Sequence, residues 1–366
     1  MESKNMAQKN YQELKAWSSK VAIIVLNYNG WQDTIECLES VLRNDYPEYQ
    51  IIVVDNNSPN NSMEYIKAWA EGKIDVWVRP DNQLRYLSFP PVGKPIPYVF
   101  YTKEEAEKGG NKHLEEILSN DIPEGITTKY PLVFIQSGAN LGFAGGNNIA
   151  IRYALAKDDF DSIILLNNDT VIEKDSIKKL VETKNQFGDN AIYGGRIYYY
   201  TNPSKIWYDG GNFNQWLGRT IHINMGKINI PEKPIHEVNF ITFCYVLIPN
   251  KIIKNIGLLD ESYFMYVEDL DYSYRVWKNG YKLYHVSSSK IYHKVGSSSG
   301  EEVSEFSAYW YYKNSLLFRL KKLKSIYRIS STMFYFARLP LITIKWLFKD
   351  KSILKSMFKA LKDAIL

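Results

Sequence analysis

Three apolar runs with polar ends constrain this chain more than any other feature. "VAIIVLNYNG" (21–30), "IIVVDNNS" (51–58) and "IILLNND" (163–169) each pass from four or more aliphatic residues straight into Asn and Asp. Runs of this kind, bounded by turn formers, predict strands buried on both faces of a sheet. A helical spacing follows each one. Ile35, Leu38, Val41 and Leu42 mark a helix over 33–44, a second helix spans 62–71 with Asn60 or Asn61 as its cap, and a third spans 174–187. Strand and helix in alternation predict an α/β domain with a mostly parallel sheet. "LVFIQSGANLGFAGGNNIAIRYALA" (132–156) repeats the theme as strand, Gly/Asn-rich loop and helix. Further strands are expected over 191–200 and 239–249, with long loops and short strands over 201–239. A loop leads into a helix over 263–280 that stops at Gly280. Residues 80–131, with Pro90, Pro91, Pro95, Pro97 and Pro123 among them and one or two short helices expected within 103–119, read as an insertion or flap. The expected division is a main domain over 1–312 and a helical tail over 313–366.

Composition narrows the setting. The two cysteines, Cys37 and Cys244, lie in apolar patterns and read as buried thiols, which fits a reducing cytoplasm and excludes a disulfide scaffold. Residues 1–19 are polar and mixed in charge, unlike a signal peptide, and no run reaches the roughly 18 apolar residues of a membrane span. Aromatic content of 14%, with 28 Tyr and 9 Trp, suits flat ligands such as bases and sugar rings, and equally an aromatic core. The net charge of +5 is uneven. Residues 313–366 hold thirteen Lys and Arg against Asp350 and Asp363, a local +11, so the remaining 312 residues sum to −6.

Ligands of open α/β sheets bind outside the carboxyl ends of the strands. Asn27 to Asn29, Asp55 to Asn57 and Asn167 to Asp169 fall at three such ends, and would aim amides and carboxylates into one crevice. Asn and Asp also close turns without any ligand, but three coinciding ends favour a site. A lone Asp169 among amides suits Mg²⁺ or Mn²⁺ sharing its shell with phosphate oxygens. An imidazole from His293 would tilt the choice toward Mn²⁺. Gly138, Gly142, Gly145 and Gly146 in "GANLGFAGGNN" let backbone approach a ligand ahead of a helix N-terminus. Neither this loop nor "NYNG" matches the dinucleotide fingerprint or a Walker loop, which argues against a nicotinamide enzyme. Glu268, Asp269 and Asp271 open a helix, where acids also complement the dipole, and Asp271 pairs with Arg275 at i,i+4. One carboxylate at the crevice is a competent general base toward a hydroxyl. A nucleoside diphosphate leaves as a stable anion, so one carboxylate and one metal suffice for sugar transfer, whereas glycosidases need two carboxyls.

Taken in order, "VAIIVLNYNG", "IIVVDNNS", "NLGFAGGNN", "LLNNDT", "FMYVEDLDYSYR" and "YHKVG" resemble the family 2 glycosyltransferases of GT-A fold, and within them a rhamnosyltransferase-like branch. The likeness covers about 21–79 and 132–300. It implies that Asp55 accepts a hydrogen bond from the pyrimidine base beside Asn27 and Asn57. It implies that Asp169, in the place of the D-x-D-like motif, and His293 are metal ligands, with Asn167 near the ribose or diphosphate. Asp269 would deprotonate the acceptor hydroxyl, Glu268 being the weaker candidate, and transfer would invert the anomeric carbon. The donor-side set is then Asn27, Asn29, Asp55, Asn57, Gly145, Gly146, Asn147, Asn167, Asn168 and Lys313, with Glu268, Asp271 and Arg275 in support. Lys313 stands where many relatives carry Arg, a point charge in place of a bidentate fork. "TFCY" (242–245) lacks the small pair common before the acceptor pocket.

The implied donor is a dTDP- or UDP-linked sugar, rhamnose among the options, and the acceptor is a lipid-linked or polymeric glycan hydroxyl. From residue 352, Ile353, Leu354, Met357, Phe358, Leu361 and Ile365 line one helical face with lysines elsewhere. That pattern fits a helix lying on an anionic membrane at its cytoplasmic face, or a helix packed on the domain. No nucleic-acid motif accompanies the basic run. Two rivals remain open: a sugar nucleotidyltransferase, which needs a basic phosphate loop that "NYNGWQD" lacks, and a non-catalytic, membrane-associated sugar-nucleotide-binding protein.

Overall fold

The computed structural model describes residues 19–295 and 304–365. Its first part alternates as the apolar runs predict: β1 (Val21–Asn27), α1 (Trp31–Val41), β2 (Tyr49–Asp55) and α2 (Ser62–Ala70). Asn61 takes the capping position of α2 in a left-handed conformation without a side-chain cap bond. The segment over 80–131 supplies β3 (Tyr98–Thr102) and the short helices α3 (Lys103–Ala106) and α4 (Lys112–Leu118). Then come β4 (Leu132–Gln136), α5 (Gly142–Lys157), β5 (Ser162–Asn167), β6 (Thr170–Ile172), α6 (Ser176–Phe187) and β7 (Ala191–Tyr199). Short strands β8 (Asn202–Tyr208), β9 (Gly211–Asn214), β10 (Arg219–His222) and β11 (His236–Val238) precede β12 (Tyr245–Pro249), α7 (Asn250–Ile256), α8 (Glu268–Lys278) and β13 (Lys282–His293). The chain closes with α9 (Glu305–Lys321), α10 (Ser325–Lys349) and α11 (Lys351–Ile365).

One sheet carries the fold, in the order β11-β13-β7-β12-β5-β1-β2-β4-β3, with β6 on β13 and β8 on β7. Strands β5, β1, β2, β4 and β3 are parallel throughout. Alternate residues of β1 and β2 enter two separate cores. Ile23, Val25, Ile51 and Val53 pack under α1, α2 and α6, while Ala22, Ile24, Ile52 and Val54 pack under α5. Burial on both faces is why these strands read as unbroken aliphatic runs.

Three expectations need correction. The segment over 80–131 is no flap: β3 extends the sheet beside β4, and Glu115 of α4 is buried, accepting from Gln50 of β2 (2.9 Å), Tyr153 of α5 (2.8 Å) and Tyr101 of β3 (3.0 Å) and pairing with Lys157. The apolar run over 239–249 is a strand only from Tyr245, because Thr242 and Phe243 leave the ladder to bind Asp269. In α11, Ile353, Met357 and Leu361 are buried with Ala308, Tyr312 and Leu316 of α9 in the same core. That apolar face packs on the domain, and of the residues expected to meet lipid only Phe358 and Ile365 are largely exposed.

Unpairing a buried charge costs about 3–5 kcal/mol. Glu115→Ala takes from buried Lys157 its nearer carboxylate and leaves it Asp159 at 3.8 Å, so the variant is expected to lose about 2–4 kcal/mol in chemical denaturation. A loss below about 1 kcal/mol would mean that the inserted segment is not tied to the core as described.

Candidate active site

Register builds the site. Along the parallel strands Asn27 stands opposite Asp55, Asp55 opposite Gln136, and Leu26 opposite Asn167. The polar ends of β1, β2 and β5 therefore finish level, at one edge. Strand β12 runs antiparallel to β5 and begins where β5 ends: the Asn167 N–H donates to the Cys244 carbonyl at 3.0 Å. Residues 242–244 join the same edge from the opposite direction.

At the β1/β2 end a small hydrogen-bond cage surrounds Asp55, which is 2% exposed. Its Oδ1 accepts from Asn27 Nδ2 (2.7 Å) and Ser58 Oγ (2.6 Å), and its Oδ2 accepts from the Ser58 N–H (3.0 Å). Asn27 Oδ1 in turn accepts from Thr34 Oγ1 at 2.9 Å, and Asn168 Nδ2 donates to the same hydroxyl at 3.0 Å. One hydroxyl thus ties the end of β1 to the end of β5. Asn29 and Asn57 are exposed at the rim, both at φ 60°, and the Asn29 N–H donates to Ser58 Oγ at 2.9 Å. Trp31 and Tyr65 stack beside them with centroids 4.4 Å apart. Ser58 and Thr34 were not singled out from the sequence, though Ser58 follows the "DNN" run directly.

Asp169 and His293 meet in space although 124 positions separate them. Strand β6 pairs antiparallel with β13, and the rung joining Thr170 to His293 sets Asp169 beside the imidazole. His293 Nε2 lies 3.1 Å from Asp169 Oδ1, both side chains being nearly buried. Burial opposes a charge on His293, but Cys244 and the Asp169 carboxylate outweigh it and hold the imidazole well above its ordinary range. Among the described residues no group of three His, Cys, Asp or Glu could hold a metal unaided. A carboxylate and an imidazole side by side fit a cation whose remaining ligands come from a diphosphate. Lys294, next in sequence, is clamped by Asp33 (2.6 Å) and Glu36 (2.5 Å) of α1. This ionic link was not read from the sequence, although the lysine adjoins the singled-out histidine.

Asp269 occupies the first turn of α8 on the far side of Cys244. Its Oδ1 accepts from the Leu270 N–H at 2.7 Å. Burial lifts its carboxyl to about 6, against hydrogen bonds from Leu270, the Thr242 hydroxyl and the Phe243 N–H that favour the anion. Both Asp169 and Asp269 raise the buried Cys244 thiol, so both carboxylates lie near that residue. Glu268 is pushed much higher, by burial and then by the Asp269 charge, and its Oε2 has no partner among the described residues. Glu268 is thus held further from its ordinary range than Asp269, which makes Asp269 the better candidate for the base.

Other expected residues have different work. Asp271 is buried and paired with Arg275 (2.7 Å) and Lys322 (3.1 Å), and Arg275 also donates to the carbonyls of Ile256 and Leu258. These two fasten α8 to its surroundings. Gly145 and Gly146 lie inside α5, where an added Cβ would stand 2.7 Å from Leu141 and 2.5 Å from Leu26. Their small size serves helix packing, which corrects the reading of a ligand-facing loop. Asn147 is buried and donates to the Phe143 carbonyl. Lys313 lies over the Trp310 ring at 4.8 Å from its centroid, with Trp310 stacked on Phe264.

The fold is that of the GT-A glycosyltransferases, and the chain is a glycosyltransferase. It belongs to glycosyl transferase family group 2, whose model matches residues 162–349, and the glycosyl transferase family 2 model matches residues 22–87. It is 26% identical over 222 residues to the low-salt glycan biosynthesis hexosyltransferase Agl10 of Haloferax volcanii, covering 60% of this chain and 70% of that one. It is 24% identical over 208 residues to the N-acetylglucosaminyl-diphospho-decaprenol L-rhamnosyltransferase of Mycobacterium tuberculosis, covering 50% and 66%. The solved structure of GalNAc-T7 with UDP, GalNAc and Mn²⁺ superposes at TM-score 0.53 and 14% identity over 85% of this chain, which spans 49% of that chain. Staphylococcus aureus TarS 1–349 in complex with UDP-GlcNAc superposes at TM-score 0.51 and 14% identity, covering 94% and 80%.

Gly142 (φ +69°) places its Cα against the chain of residue 264; a Cβ there would stand 2.1 Å from the Phe264 carbonyl oxygen. Left-handed strain alone costs about 1–3 kcal/mol, and this clash is with backbone. Gly142→Ala is therefore expected to lose about 2 kcal/mol or more on denaturation. A variant as stable as its parent would show that the 142/264 approach is looser than described.

Proposed function

We propose that this chain is an inverting, metal-dependent transferase that moves a sugar from a nucleoside diphosphate to a hydroxyl of a lipid-linked or polymeric glycan. The observation that carries the reading is the convergence of Asp55, the Asp169–His293 pair and Asp269 at one sheet edge. The family assignment supports sugar transfer. The UDP and UDP-GlcNAc complexes of the superposed structures support a nucleotide-sugar donor. The mycobacterial relative's name supports a diphospho-polyprenol acceptor and rhamnose as the sugar.

In this reading the Asp55 cage receives the base, since a carboxylate fixed by Asn27 and Ser58 presents an oriented acceptor to a ring N–H. Asn167 and Asn168 face the ribose and diphosphate, and Lys313 offers a point charge. Asp169 and His293 would hold Mn²⁺ or Mg²⁺ together with diphosphate oxygens. The cation's part is to neutralise charge on the departing diphosphate. Asp269 accepts the proton of the acceptor hydroxyl while that oxygen attacks the anomeric carbon opposite the leaving group. Burial serves this role by raising the carboxyl toward neutrality, where a base is both ionised and basic.

A positioned base contributes about 10²- to 10⁴-fold. Asp269→Asn is expected to lower transfer by that factor while leaving donor binding within about twofold. Folding should survive, because the raised carboxyl makes ionisation a cost to the folded state above its ordinary pKa. In the parent, kcat/KM should rise with pH through about 6 and then level. Normal turnover by the variant, or a flat profile down to pH 4, would remove Asp269 from the role. Asp169→Ala should abolish the increment in nucleotide affinity that Mn²⁺ confers, measured by calorimetry with and without metal. Nucleotide affinity indifferent to metal in the parent would count against that pair as a metal site.

A further inference from the structure

Between Glu305 and Asp350 the sequence contains no acidic residue and nine Lys or Arg. Helix α10 crosses most of this stretch and is two-sided. Its inner face is tied to α9: the Tyr335 hydroxyl donates to the Tyr312 carbonyl (3.1 Å) and the Trp346 indole N–H to the Tyr312 hydroxyl (3.1 Å). The opposite side carries Ile326, Ile329, Met333, Phe336, Ile344 and Leu347, all 41–67% exposed. Their spacing of three and four places them in one stripe. Leu341 (70%) and Phe348 (85%) widen it at its far end. By the same helical count Arg338, Lys345 and Lys349 fall away from the stripe, toward the side of Tyr335 and Trp346. A helix of 25 residues is about 37 Å long, so the stripe is extensive.

The start of α10 borders a cleft of about 460 Å³. Arg275, Lys278, Lys321, Lys322, Lys324 and Arg328 line it. Arg275 and Lys322 are neutralised by Asp271 and Asp260. Among the described residues Lys278, Lys321, Lys324 and Arg328 have no carboxylate partner. Lys278 and Lys324 stand close enough that burial and then mutual repulsion push Lys278 below its ordinary range. Trp216, exposed, meets Tyr327 edge-on at 4.9 Å beside this cleft's helix. Amphipathic aromatics of this kind settle at headgroup depth.

We propose that α10, with the basic cleft at its start, is the surface by which this chain lies on an anionic lipid bilayer, the stripe among acyl chains and the cleft on headgroup phosphates. No helix of the described residues is long and apolar enough to cross a membrane, and the anchorage of Tyr335 and Trp346 keeps the inner face on the domain. The helix therefore lies in the plane. A second copy of the chain is the weaker occupant, because α10 offers no acid to pair with the cleft's unpartnered cations. The proposal deepens the lipid-linked-acceptor reading and rests on it for its purpose, while the surface itself stands on exposure and charge.

The test is co-sedimentation of the full chain with vesicles of phosphatidylcholine alone or with about one third phosphatidylglycerol, at about 0.1 and 0.5 M salt. Binding is expected only to the anionic vesicles and should fall at high salt. Each cation near the surface is worth about fivefold, so Lys278→Glu with Lys324→Glu should weaken binding by tenfold or more. Ile329→Glu with Met333→Glu should do the same, while circular-dichroism melting of both variants stays unchanged. Equal binding to neutral vesicles, no binding, or a dimer in solution that the Ile329/Met333 variant splits would each overturn the proposal. Hydrolysis of the sugar nucleotide in solution separates the two readings. A chain that hydrolyses donor but ignores vesicles keeps the transferase assignment and loses the docking surface, and the reverse outcome loses only the former.

Discussion

The parallel register of β5, β1 and β2 is the constraint on which the rest depends. Three strands pair so that Asn27 finishes opposite Asp55 and Asn167 opposite Leu26, one position away, and a slip of one residue would turn each to the other face. Both faces of these strands are packed with aliphatic residues, so the sheet cannot slip without exposing one core and crowding the other. The cage around Asp55 and the bridge through Thr34 to Asn168 are consequences of that alignment. Polar groups that the strands could not bury are delivered to the one edge where they can be paired with one another or with a ligand.

Charge is arranged differently on the two sides of this edge. On the Asp169 side, carboxylate and imidazole neutralise one another. On the Asp269 side, a carboxyl is held buried beside a second one that burial raises further, with a threonine hydroxyl and backbone N–H groups in place of a cation. The first arrangement can take up a cation by exchanging one partner for another. The second keeps a proton acceptor poised near neutrality. Cys244 is buried near both, and burial raises its thiol.

The parallel half of the sheet was legible because strands buried on both faces have a plain signature, and because Asn and Asp at their ends mark the turn. Asp55, Asp169, Asp269 and His293 were legible as members of motifs. Strand β13 was not, since three serines interrupt its alternation. Ser287 exchanges hydrogen bonds with Lys233, and Ser289 donates to the Ser176 carbonyl, at a break in the pairing with β7. Sequence pattern reports a strand's hydrophobic rhythm and misses one held by side-chain bonds. Gly145 and Gly146 misled for a related reason: a glycine wanted for a close helix–sheet approach looks the same as one wanted for a phosphate. In the tail, amphipathicity identified helices but could not say which partner each face would meet: α11 lays its apolar face on α9, whereas α10 rests one face on α9 and leaves an apolar stripe exposed.

Lys294 has a further consequence. Following His293 directly and held between Asp33 and Glu36, it rivets the strand that carries the imidazole to the helix that opens just after the base-side loop. Loops at strand ends are attractive units to exchange between relatives. Here the loop cannot be grafted alone: a chimaera that imports residues 27–36 without a matching cation at 294, or keeps that cation opposite neutral side chains, would strand a charge in a dry site and let the two halves of the crevice drift apart.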